Sequence, residues 1–349
     1  MPSHARPCSI TDVARRAGCS VATVSRVMGG GAAGKAAPDT VLRVRQAAAE
    51  LGWRPLVAAQ ALRQGRGRLV AVLAPNLANP ALAAIAASIE AALRAAGLAM
   101  ALCDTHDDPA IQDEHLMEMQ AHRVCAYVLL GAVASPGLDR HLAAGETILF
   151  VNRRCPAGQP HPFVGIDDAA AGAEVAAHFL RIGLRIAGVL HGSLGSSATA
   201  ARVRAFCAAL DAAGRPLAAP GGPAPMPGTE HVRIGFDGAQ ALLAAGQLGP
   251  PCGLFCSSDL IAYGAHRAIG AAGLRVPEDV ALVGFDDNPL NDWVAPWLSS
   301  VRVPYALFGP AVCAALDAVW AGQVVDGTPL PHRLVLRGVS ADAPWPPGA

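Results

Sequence analysis

The sequence predicts an α plus α/β chain: an N-terminal three-helix headpiece followed by two doubly wound α/β lobes. Three observations carry that expectation. From Arg68 onward, short apolar runs alternate with helical stretches, which is the rhythm of parallel strands covered by crossover helices. Before Arg68 the patterns are helical only, and two of them abut across Gly18-Cys19. Charge divides at nearly the same place. Residues 1–64 hold nine Lys/Arg against three Asp/Glu, a net of +6, while residues 65–349 hold eighteen against twenty-four, a net of −6.

The first helical pattern follows Ser9, which suits an N-cap, with Asp12 three residues on to complete a capping box. Val13, Ala14 and Ala17 share its apolar face. The second follows Ser20, with Val21, Val24 and Val27/Met28 as the apolar stripe and Ala22, Thr23, Ser25 and Arg26 turned outward. Two short helices joined so tightly are too close to be separate elements. The outward face is small and polar and ends in an arginine, which suits close approach to a DNA major groove. An exposed helical hairpin of no special purpose has the same pattern. The glycine-rich stretch Gly29–Ala36 matches phosphate-loop patterns by letter, but a helix precedes it and Ala36 replaces the hydroxyl residue, so it reads as a loop without nucleotide. Pro38 opens a third helix, Asp39–Leu51, whose Val41, Val44, Ala48 and Leu51 cover the first two. Next comes Leu56–Gln64, a helix between Pro55 and Gly65 too short to be stable unless docked.

In the first lobe the strands are Leu69–Ala74, Leu98–Cys103, Ala126–Leu130 and Thr147–Val151, with helices Ala81–Ala96 and Ala110–His122 between them. In the second lobe the strands are Arg185–His191, Gly253–Ser257 and Val280–Phe285, with helices Ala171–Ile182, Ala200–Ala213, Asp237–Ala245 and Asp259–Ala272. Gly214–Thr229 is an insertion loop, and the Pro-rich 341–349 is a tail that needs no fold.

No apolar run is long enough to span a membrane and the N-terminus lacks a signal-peptide core, so a cytoplasmic protein, associated with the nucleoid when bound to DNA, is expected. The nine cysteines form no C-x-x-C pair and read as packing thiols. No H-E-x-x-H or G-x-S-x-G motif is present, and the histidines are dispersed, with His115 and His122 reading as surface residues. Neither an enzyme nor a metal or other cofactor is expected.

Several motifs, in this order, resemble the LacI family of bacterial transcriptional regulators over about Ser9–Ser340. They are D-V-A-R-R-A-G-C-S-V-A-T-V-S-R-V at 12–27, E-L-G-W-R-P at 50–55, A-x-x-L at 59–62, N-P at 79–80, S-D-L-I-A-Y-G at 258–264 and V-P-E-D-V-A-L-V-G-F-D-D at 276–287. The resemblance implies a helix-turn-helix DNA-binding headpiece over 1–54, a hinge helix and linker over 55–67, and a periplasmic-binding-protein-like body over 68–340. It assigns about 68–164 and 302–322 to the first lobe, and about 165–301 and 323–340 to the second. It implies DNA contacts from Thr11, Val21, Ala22, Thr23, Ser25 and Arg26, and from Ala59, Leu62 and Arg63 of the hinge, with Leu62 wedged into the minor groove.

The resemblance also implies an effector cleft lined by Leu82, Asn152, Arg202, Arg233, Ser258 and Asp286. The alternative for Arg202 and Asp286 is a purely structural ion pair. The sequence departs from the family at Gly29, Ala37, Val41, Leu56 and Gln60, each removing a cap or DNA contact. Ser258 replaces a usual asparagine and Arg233 a usual aromatic ring, which points to an anionic effector such as a sugar acid. The expectation is a homodimeric, effector-controlled repressor of a palindromic operator. The rival is a cytosolic sugar-binding or sugar-modifying protein whose helical head mediates protein contacts.

Overall fold

The computed structural model describes residues 8–28, 37–53, 67–217, 230–325 and 327–337. The expected hinge residues Ala59, Leu62 and Arg63, the Gly29–Ala36 loop and the 341–349 tail lie outside them. The chain divides into two compact units, a small one of Met1–Arg68 with His122–Cys125 and a large one of Leu69–Ala121 with Ala126–Ala349.

In the small unit, helices α1 (Ile10–Ala17), α2 (Val21–Met28) and α3 (Pro38–Glu50) surround one core of Val13, Ala14, Ala17, Val24, Val27, Val44, Ala47 and Ala48. The capping box is present: Asp12 N donates to Ser9 Oγ at 3.3 Å, and Ser9 N donates back to Asp12 Oδ2 at 3.0 Å. Gly18, at φ 64°, ends α1 in the left-handed region that favours glycine. Helix α3 has no side-chain cap at Ala37.

The large unit holds two sheets. The first runs β1 (Leu69–Ala74), α4 (Pro80–Ala95), β2 (Ala99–Asp104), α5 (Pro109–Ala121), β3 (Ala126–Leu129), α6 (Pro136–Ala143), β4 (Ile148–Val151) and β5 (Phe163–Val164). Its strands are all parallel, in the order β2-β1-β3-β4-β5. The second runs α7 (Asp168–Arg181), β6 (Arg185–Leu190), α8 (Ser197–Ala212), α9 (His231–Ala244), β7 (Cys252–Cys256), α10 (Asp259–Ala271), β8 (Val280–Asp286), α11 (Asn291–Val294) and β9 (Ser299–Arg302). Helix α12 (Tyr305–Trp320) packs on α4, where Gly309 N donates to Ser88 Oγ at 3.0 Å. The chain then returns as β10 (Arg333–Val335), antiparallel to β9, and closes the order β10-β9-β8-β7-β6.

The seven strands expected from sequence form within one or two residues of their places. The helix expected at Leu56–Gln64 and part of the Gly214–Thr229 loop lie outside the described residues; the other expected helices form, with α7, α8 and α9 starting earlier. Asp167 and Ser196 cap α7 and α8, accepting from Ala170 N at 2.9 Å and Thr199 N at 3.4 Å. Helix α9 begins at His231 and not at Asp237. The sequence did not announce α6, α11, α12, β5, β9 or β10. Two-residue β5 has no period to read, α12 carries Pro310 inside it, and β9 begins with two buried serines. Among the described residues no helix is long and apolar enough to cross a membrane.

Candidate functional site

Two surfaces merit description, one in each unit. In the small unit the turn between α1 and α2 is fixed from both sides. Cys19 N donates to Ala14 O at 3.1 Å, and Thr23 N donates to Ser20 Oγ at 3.1 Å. Burying Val24 and Val27 leaves Thr11, Ala22 and Arg26 exposed and Thr23 and Ser25 half-buried. Val21 fits the apolar stripe by spacing, yet it is 41% exposed. The stripe therefore begins at Val24, and Val21 joins the outer face with Ala22. Arg26 has no partner among the described residues.

In the large unit, polar groups gather where the carboxyl ends of the strands of both sheets meet. Arg202 on α8 is buried. Its Nε donates to Asp168 Oδ1 at 2.7 Å, one Nη donates to Ser257 O at 3.0 Å, and its guanidinium lies 3.6 Å over the Phe285 ring. Gly172 permits this position, since a Cβ there would collide with the Arg202 backbone. The ion pair of Arg202 is thus with Asp168, which corrects the alternative that paired it with Asp286.

Asp286 ends β8 at φ 106°, and Asp287 follows at φ 48°. Both lie in the region that costs non-glycine residues of order 1–3 kcal/mol. Tyr305, arriving from α12, holds the turn by donating its hydroxyl to Asp286 O at 2.7 Å. No described side chain hydrogen-bonds the Asp286 carboxyl. Burial pushes it up to about 8; Arg202 opposes this, while Asp259 and Asp168 add to it. Its neighbour Asp259 is pushed up to about 6 by burial, although Ser300 Oγ, Asn288 N and Asn291 Nδ2 all donate to it within 2.8 Å. Asp259 is structural and Asp286 is free.

Ser258 caps α10, accepting from Ile261 N at 3.4 Å, and its Oγ also meets His231 Nδ1 at 3.1 Å. On the opposite lobe, Asn152 follows β4 at φ 62°. Beside it Arg153 makes a two-pronged pair with Asp107, at 2.5 and 3.1 Å. Leu82 is buried at the start of α4.

The structure therefore brings Arg202, Ser258 and Asp286 together at one end of the second sheet, with Asn152 at the matching end of the first. Arg233 departs from expectation. Its side chain is 67% exposed and pairs with Asp237 at 2.6 Å, one turn along the outer face of α9. Because α9 begins at His231, two residues earlier, the side chain aimed at Ser258 is His231. Sequence reasoning missed His231, Arg153 and Asp107. The only local signal was the i, i+4 spacing of Arg233 and Asp237, which marks a solvent-facing pair.

Among the described residues no group of His, Cys, Asp or Glu is placed to hold a metal ion. The Asp286 carboxyl, the Asn152 amide and the arginine fork offer acceptors and donors of the kind that bind hydroxyl-rich or anionic small molecules.

Residues 9–55 match the family described as bacterial regulatory proteins, lacI family, and residues 176–339 match a periplasmic binding protein-like domain. The transcriptional regulator MalR of Streptomyces coelicolor is 31% identical, covering 96% of this chain and 97% of its own. The regulator GntR of Pseudomonas aeruginosa is 32% identical, covering 91% and 90%. Among solved structures, the lac repressor dimer bound to operator and an anti-inducer superposes with a TM-score of 0.82 at 24% identity, over 95% of this chain and 99% of that one.

Proposed function

The chain belongs to the lacI family of bacterial regulatory proteins and is a ligand-responsive, DNA-binding transcriptional regulator, not an enzyme; from that premise we propose that it acts as a homodimeric repressor of a palindromic operator, controlled by a sugar-acid effector. The observation that carries this reading is the Asp286 carboxyl, which no side chain among the described residues hydrogen-bonds and which lies in the field of the buried Arg202. A structural network satisfies its members, as Asp259 is satisfied, whereas a binding site leaves one group for the ligand.

In this reading Thr11, Val21, Ala22, Thr23, Ser25 and Arg26 face the operator. Arg26 reaches a guanine edge or a phosphate, and Val21 and Ala22 lie against base edges. Leu62, flanked by Ala59 and Arg63, wedges into the minor groove together with the symmetry-related leucine of the second copy. The domain scheme is a headpiece over 1–54, a hinge over 55–67 and a two-lobed body over 68–340. Leu82, Asn152, Arg202, Ser258 and Asp286 line the effector cleft. With Arg233 on the outer face of α9, the guanidinium groups left near an acidic effector are those of Arg153 and Arg202, each already paired with an aspartate. The effector acts through its different affinity for the operator-competent and released arrangements of the lobes.

Selection of bound duplexes from a random pool, with and without aldoses and sugar acids, tests the reading. It expects a palindrome whose recovery changes in the presence of one compound. A non-palindromic consensus, or recovery that no compound alters, overturns it.

A further inference from the structure

His231 lies outside the residues that the family resemblance assigned to the cleft, and its surroundings give it a specific task. Its Nδ1 meets Ser258 Oγ, whose lone pair already accepts from Ile261 N. Ser258 Oγ keeps its proton and a second lone pair, so Nδ1 can accept from it while the ring is neutral and donate to it once the ring is protonated. Nε2 has no partner among the described residues. The absence of a side chain at Gly192 leaves the ring its space, since a Cβ there would sit 3.1 Å from Nε2.

The charged groups that act on the ring come from three elements. Arg153 follows β4, Arg202 is on α8, and Asp107 follows β2. Burial first, then Arg153 and Arg202, depress the imidazole below its ordinary range, with Asp107 opposing them. Arg153 is balanced by Asp107 and Arg202 by Asp168. Asp286 adds no charge while it holds its proton. The cleft is therefore close to neutral when empty, and a ligand carboxylate brings an uncompensated charge into a partly desolvated space. That cost falls if a neighbouring base takes up a proton.

We propose that His231 is the specificity-determining residue of the cleft, taking up a proton as an acid enters and so selecting a sugar acid over the corresponding neutral polyol. On protonation, Nδ1–H donates to Ser258 Oγ and Nε2–H is free to donate to the ligand carboxylate. The bound anion replaces the repulsion from Arg153 and Arg202 with attraction. Asp286 sets the upper limit of the pH range. Once it ionises it faces the ligand as a like charge, and acid binding weakens.

This inference rests on the effector-cleft reading above, and one calorimetric experiment separates the two. Five- and six-carbon aldonates are titrated into the full chain, each beside its alditol, at pH 7.5 in phosphate and in Tris. The dependence of the observed heat on buffer ionisation enthalpy gives the protons exchanged. The expected result is uptake of about one proton with an aldonate and none with an alditol. His231→Asn should abolish the uptake and reduce the aldonate-to-alditol preference about tenfold, the equivalent of one pKa unit. His231→Gln and the wild-type buffer comparison give the same readout should the asparagine variant fold poorly. Aldonate binding without proton uptake, or uptake and preference retained in both variants, overturns the role of His231 and leaves the effector cleft standing. If no aldonate or alditol gives heat, the effector-cleft reading itself falls and His231 with it.

Discussion

At Asp286 the chain keeps a carboxyl in its neutral form near neutral pH and in a strained backbone turn, a combination expected of a group reserved for a ligand. The pH consequence has a definite sign. A carboxyl raised in the folded state stabilises the fold most fully below its unfolded value near 4, and that contribution is lost as pH rises through the folded value. Asp259, at about 6, and Asp286, at about 8, should therefore make stability decline between pH 4 and pH 8. Asp286→Asn should flatten the portion above pH 6, read from urea midpoints across that range. A slope unchanged by the substitution would show that Asp286 titrates normally.

Arg202 tests the same site from the cationic side. Arg202→Met strands the buried Asp168 and should cost about 3–5 kcal/mol in denaturant unfolding. Tyr305→Phe removes only the bond to Asp286 O and should cost about 1 kcal/mol while weakening effector binding. The residue pairings were the least legible part of the sequence. Asp168 and Arg202 are 34 positions apart and Tyr305 is 19 beyond Asp286, and no local pattern reports contacts at such separations. Asp286 was found because it sits within the family motif at 276–287, and Arg202 through the family resemblance, whereas His231 follows a Pro- and Gly-rich stretch, lies six residues before the expected helix start at Asp237, and carries no local signal of its own.

The elements were more legible, because caps and periodicity act over a few residues. Ser9 and Asp12, three positions apart, fixed the start of α1, and the all-apolar runs at Leu69–Ala74 and Val280–Phe285 fixed buried parallel strands. Ser9→Ala should lower headpiece stability by about 1 kcal/mol, measured on the headpiece signals of the full chain by hydrogen exchange. Helix starts were less legible where glycines intervene. Gly235 on α9 and Gly264 on α10 carry low helix propensity, yet each lies against the backbone of the other helix, at Ile261 and Val232 respectively. That close approach keeps His231 within bonding distance of Ser258. Gly264→Ala should therefore destabilise the body by roughly 2 kcal/mol or more through overpacking. It should also weaken ligand binding, although position 264 touches no ligand. Unchanged stability would mean that the two helices separate without cost.

On the scale of the molecule, a headpiece region of net +6 precedes a body of net −6. This division predicts DNA binding that weakens steeply with salt and a body that does not adhere to the polymer. Coupling between the headpiece and the cleft is the central claim. The measurement that tests it most directly is operator affinity, by fluorescence anisotropy on the selected palindrome, with and without the calorimetrically identified effector, in wild type and in Arg202→Lys. The lysine retains the charge but loses the planar fork that spans Asp168 and Ser257. The account predicts an effector-dependent change of about 5- to 150-fold in wild type, the usual range of allosteric coupling, reduced to less than about threefold in the variant. An equal effector response in both proteins, or none in wild type, would contradict it.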